Sequence, residues 1–144
     1  MRLVTKEAFT LLETSVVLGL ISILLALGWN LNLNFSCKYQ EEQFWQAFRQ
    51  HWSYTILKTR QTHTSSRVSF DEDCVKFKVQ MKKIIILKYP KTLGLSGVTR
   101  NEDISASGVT QAQTVRLKST LKPTYYDIKF QVGYGGQYNV EAFN

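Results

Sequence analysis

Cysteine, proline and acidic side chains are all scarce in this chain. Two cysteines are too few for a disulfide-dense miniprotein, and no close Cys/His cluster supports a structural zinc site. Two prolines and eight glycines exclude a collagen-like chain or a Pro-rich linker. Eleven acids against 18 Lys plus Arg leave a formal charge of +7. Catalytic signatures are missing as well. His51 and His63 lack flanking acids or cysteines at the spacing that a metal site or a triad needs. Gly133, Gly135 and Gly136 are not followed by the Gly-Lys-Ser/Thr of a phosphate loop. No cofactor is implied, and an enzyme is not expected. With 144 residues, 44% hydrophobic and 20% charged, the composition fits one globular domain and not a disordered chain.

The hydrophobic residues are unevenly placed. From Thr14 to Cys37 there is no Asp, Glu, Lys or Arg, and from Val16 to Trp29 the only polar side chain is Ser22. Residues 9–29 would make a helix of about 31 Å, close to the roughly 30 Å hydrocarbon core of a bilayer. The hundred-odd remaining residues could hardly bury such a helix on all sides, so a membrane span is expected. A secretory signal peptide is disfavoured for two reasons. The stretch after Trp29 has no small-residue cleavage pattern, and Glu13 lies inside the apolar region. A carboxylate there costs up to about 2.5–3.5 kcal/mol on insertion scales, which marks Glu13 as a functional candidate. Arg2 and Lys6 favour a cytoplasmic N-terminus, with the C-terminal part outside the cell.

The order Lys6-Glu7-Ala8-Phe9-Thr10-Leu11-Leu12-Glu13, ahead of a long apolar run, resembles the N-terminal signature of type IV pilins and pseudopilins. The resemblance implies a leader over 1–8, cut by a prepilin peptidase between Ala8 and Phe9, with N-methylation of Phe9. It also implies that Glu13 sets the axial register by meeting the amine of a neighbouring subunit. Ala8 stands where glycine is commoner in that family. The partners implied are other major and minor pilins, the peptidase, and membrane lipid before assembly.

Beyond a transmembrane stretch over 9–30, an amphipathic continuation of the helix is expected over 31–62. Phe44, Trp45, Phe48, Trp52 and Ile56 recur at spacings of three and four, with Glu41, Glu42, Arg49 and Lys58 among the other positions. Over 63–144 the period changes to two. Val75, Phe77 and Val79 alternate with Lys76, Lys78 and Gln80, and residues 84–89 are a continuous β-prone run ended by Pro90. Residues 93–113 read as a long surface loop, and Val115 and Leu117 as a short strand. Ile128, Phe130 and Val132 face Tyr138, Val140 and Ala142 across a glycine-rich turn. The expected fold class is α+β: a long N-terminal helix packed on a small antiparallel sheet, which is the pilin-like arrangement. The closing hairpin resembles that of minor pseudopilins and of the minor pilins of competence filaments.

Three further features carry expectations. Cys37 and Cys74 would both lie outside the cell, where a disulfide can persist, although Cys74 falls out of phase with inward-facing Val75 and Phe77. Asp71, Glu72 and Asp73 read as a turn between strands. Seven basic residues and no acid lie between Cys74 and Asn101. Among them Lys76, Lys78, Lys82 and Lys83 are candidates for binding DNA or another polyanion, against the plainer reading of a solvated edge. The expected function is structural: a minor subunit of a DNA-uptake filament. The alternatives are a secretion pseudopilus, an adhesive pilus, or a DNA-binding receptor on the filament.

Overall fold

The structure is a computed structural model and describes residues 11–80, 82–121 and 123–144, with the side chains of 27–34 and of Tyr134 outside that set. The expected cleavage site, Ala8 and Phe9, therefore lies outside the described residues. Among the described residues, one helix, α1 (Leu11–Thr62), is followed by ten strands: β1 (Ser66–Phe70), β2 (Cys74–Val79), β3 (Lys83–Lys88), β4 (Leu93–Leu95), β5 (Arg100–Ile104), β6 (Val109–Thr110), β7 (Gln113–Ser119), β8 (Tyr125–Phe130), β9 (Gly133–Tyr134) and β10 (Tyr138–Phe143). The class is α+β with antiparallel sheets. The chain divides into two compact units, the first ending at Ser36 and the second being Cys37–Asn144.

In the first unit the described part of the helix carries apolar side chains that are largely exposed. From Leu11 to Leu25 its large hydrophobic residues are between 46% and 87% exposed. The hydroxyls on the same stretch bond to the helix itself: Thr14 and Ser15 donate to the Leu11 carbonyl at 2.9 and 2.7 Å, and Ser22 donates to that of Leu18 at 2.8 Å. Among the described residues, no helix is long and apolar enough to cross a membrane.

In the second unit α1 ends where the sequence turns polar. His63 takes a positive φ of 50°, the left-handed conformation that commonly terminates a helix. Two four-stranded antiparallel sheets follow, in the orders β3-β2-β1-β5 and β10-β8-β7-β4, with a small β6-β9 pair. Phe44, Phe48, Trp52 and Ile56 form the buried stripe of α1 and join both sheets in one core. The Phe48 ring lies 6.0 Å from Phe70 and 5.7 Å from Phe77 on the first sheet, and 5.5 Å from Tyr138 on the second. The Trp52 ring lies tilted against Phe130, centroids 4.9 Å apart, and its indole N–H donates to the Gly136 carbonyl at 2.6 Å.

Several expectations need correction. Residues 93–113 are not one loop but hold β4, β5 and β6. The alternation in β5 is hidden because its inward positions are Glu102 and Ile104, so a buried acid stands where an apolar residue is expected. β1 is a further strand, with Val68 and Phe70 turned into the core. In the last hairpin Tyr138 pairs with Phe130 and Val140 with Ile128, while Val132 is exposed and Gly133–Tyr134 leave to pair with β6. Cys37 and Cys74 are free thiols and form no bridge. Cys74 sits on the face of β2 opposite buried Val75, Phe77 and Val79, so its side chain leaves the side that packs on the helix.

Candidate functional site

Glu13 lies in the first turn of the described helix, on the exposed apolar surface of the first unit. The remaining sequence-predicted residues belong to the second unit.

Alternation along β2 places Lys76 and Lys78 on the outer face of the first sheet, as expected. The rows across that face are mixed. Lys78 stands between Arg67 on β1 and Ile84 on β3, and Lys76 stands between Ser69 and Ile86. Ile84 and Ile86 are 54% and 56% exposed. Arg67 is held by the Asp103 carboxylate, and Lys76 by Asp71 at 2.7 Å. Asp71 opens the turn between β1 and β2, where its N–H donates to the Cys74 carbonyl at 2.9 Å. Lys83 lies over the ring of Tyr54, 5.6 Å from its centroid. Lys78, Lys82 and Lys88 have no ion pair among the described residues. The four candidate lysines thus share a region but not the same surroundings: Lys76 is paired with Asp71 and Lys83 lies over Tyr54, while Lys78 and Lys82 have no ion pair among the described residues.

A separate hollow lies elsewhere in the second unit. A groove of about 690 Å³ runs between α1 and β8–β10, walled by Trp45, Tyr126 and Tyr138, with Lys38, Glu41 and Arg49 along the helix side. Glu41 is 4% exposed, although its sequence position suggests the polar face. Its carboxylate accepts from the Ser119 hydroxyl at 2.7 Å and from the Tyr126 hydroxyl at 3.5 Å. Burial, together with the Glu41 charge, raises the Tyr126 phenol above its ordinary range. Glu41 falls within the helical stripe at three residues from Phe44, and that spacing is the signal that could have found it.

A second acid, Glu102, is also buried. It accepts the Gln111 N–H at 2.8 Å and the Gln113 side-chain amide, and desolvation holds its carboxyl above the usual range. Among the described residues, no three His, Cys, Asp or Glu side chains come together as a metal site would require. Comparison with protein-family models, curated proteins and solved structures returns no match.

Proposed function

We propose that this chain is a minor pilin-like or pseudopilin subunit of a DNA-uptake filament, anchored in the membrane before assembly. The observation that carries the reading is the surface of residues 11–25. Its large apolar side chains are bare, and the hydroxyls of Thr14, Ser15 and Ser22 are satisfied by the helix's own carbonyls. Such a surface suits lipid or a bundle of like helices, where backbone and side-chain polar groups find no water. The sequence extends the same apolar character through Trp29. The basic leader, Ala8–Phe9 and Glu13 supply the rest of the pilin-like signature.

In this reading the peptidase removes residues 1–8, and the new amine of Phe9 meets a Glu13 carboxylate of an adjacent helix. In low dielectric an uncompensated charge costs several kcal/mol, so pairing favours one stagger of the helices over others. The α+β unit over Cys37–Asn144 is the part displayed. Intact-mass measurement on membrane-extracted protein is expected to show a chain beginning at Phe9. A chain beginning after Trp29 would make the segment a signal peptide and end the reading. The genes beside this one separate a DNA-uptake filament from a secretion pseudopilus.

A further inference from the structure

Glu41, Trp45 and Arg49 recur every fourth residue on α1, so they form one row along the helix, with about 6 Å of axis per step. Lys38 precedes Glu41 by three residues and belongs to the same side. These four line the helix wall of the groove of about 690 Å³, opposite Tyr126 and Tyr138 on β8 and β10. That volume is in the range of small-molecule sites. The aromatic walls are set by the fold. Trp45 and Tyr126 meet at a tilt of 56°, ring centroids 5.2 Å apart, and make a corner. Tyr138 is held edge-on by Phe48 and Trp52 from the core, at 5.5 and 5.6 Å.

Charge changes sign along this groove. At its buried end, Glu41 is 4% exposed and its hydrogen bonds come from two neutral hydroxyls, those of Ser119 and Tyr126. It has no ion pair among the described residues. An ionised carboxylate offers about four acceptor sites, so capacity remains, and a buried charge met only by neutral donors favours a cation. At the rim, Lys38 and Arg49 are exposed and also lack ion pairs among the described residues, against one exposed acid, Glu42. Burial raises the Tyr138 phenol, and the Arg49 charge acts on it in the opposite sense, which places that guanidinium near the wall. A bare cation would pass two like charges to reach Glu41, and a bare anion would gain nothing from the buried end. A molecule carrying both charges meets each of them.

We propose that this groove binds a small zwitterion, a primary ammonium joined by a short chain to an anionic group such as phosphate. The ammonium lies against the faces of Trp45 and Tyr126 and donates to the Glu41 carboxylate, while the anion meets Lys38 or Arg49. The aromatic walls would also suit a neutral sugar, but a sugar leaves the Glu41 charge unanswered. The inference concerns the second unit alone; it goes beyond the filament reading and does not depend on it.

The test uses the full chain in micelles of a non-ionic polyoxyethylene detergent, with phosphoethanolamine as the probe and binding read by titration calorimetry. Ethanolamine keeps the ammonium alone, inorganic phosphate keeps the anion alone, and phosphocholine keeps both charges without an N–H donor. Phosphoethanolamine is expected to bind roughly tenfold or more tightly than each of the three, since each lacks one charged hydrogen bond. Glu41→Gln keeps an acceptor for the Ser119 hydroxyl and removes the charge, and it should weaken binding by a similar factor in protein whose thermal melt shows it folded. Lys38→Gln with Arg49→Gln should bring phosphoethanolamine down to the affinity of ethanolamine. The ligand arms need no variant, so they decide the matter even where Glu41→Gln folds poorly. No binding of phosphoethanolamine, or equal binding of any of the three comparison ligands, overturns the proposal. So does unchanged affinity in folded Glu41→Gln. Binding of glucose without binding of phosphoethanolamine overturns it as well and assigns the aromatic walls to a neutral sugar.

Discussion

Asp127 lies beneath Arg116, which donates from Nε and Nη2 to its two carboxylate oxygens at 2.7 and 2.8 Å, and it is only 7% exposed. Those hydrogen bonds hold its pKa below the ordinary aspartate value. Its contribution to stability is therefore complete above about pH 4 and is lost as pH falls through the lowered value. Arg116→Met is expected to lower the melting temperature near neutral pH and to lower it less in acid, where Asp127 is protonated. Glu102 has the opposite sign. Its pKa is raised, chiefly by burial, so its contribution is greatest below the ordinary glutamate value and declines as pH rises through the raised one. Thermal melts from pH 7 down to pH 4 should show an acid-side gain that Glu102→Gln abolishes. A third residue, Gly136, is fixed by space. Its φ is 59°, and an added Cβ would press on Ile56 Cδ1 and lie 2.8 Å from Ile56 Cγ1. Gly136→Ala should lower stability by roughly 1–3 kcal/mol, read as a denaturant midpoint.

At the scale of elements, the second half of α1 is the common wall of both sheets. Phe48 touches each of them and is fully buried, so Phe48→Ala should cost about 3–5 kcal/mol, a large part of the usual 5–15 kcal/mol of a domain. This helix was legible in the sequence because its stripe keeps the 3.6-residue period and the polar run after it gives the end. β2 was legible because valine and phenylalanine alternate with lysine. β5 was not, since Glu102 occupies an inward position and is satisfied there by Gln111 and Gln113, partners contributed by a later part of the chain. Short strands such as β4 carry too few residues to display any period. The same limit applies to the sites. Lys76 and Lys78 could be placed on one face from alternation alone, but Asp71 beside Lys76 and Tyr54 beneath Lys83 depend on tertiary placement. Glu41 was hidden by its charge, which suggested solvent, whereas Ser119 and Tyr126 receive it inside.

For the molecule as a whole, the proposed function puts opposite demands on the two units: bare apolar helix in the first, a closed core in the second. Glu13→Gln tests their division of labour. It should leave the melting of the second unit, membrane insertion and removal of residues 1–8 unchanged, while reducing crosslinking to co-assembled subunits. Full crosslinking in that variant would remove the register role. The indole bond from Trp52 to Gly136 has a consequence in time. Its two ends are 84 residues apart, and synthesis at about 5–20 residues per second separates their emergence by roughly 4–17 s. Throughout that interval the aromatic row on the helix has no hairpin to close over it. A nascent chain of this kind is exposed to misassociation while its aromatic row is open, so its yield in cells should depend on chaperone capacity more than its finished stability would suggest.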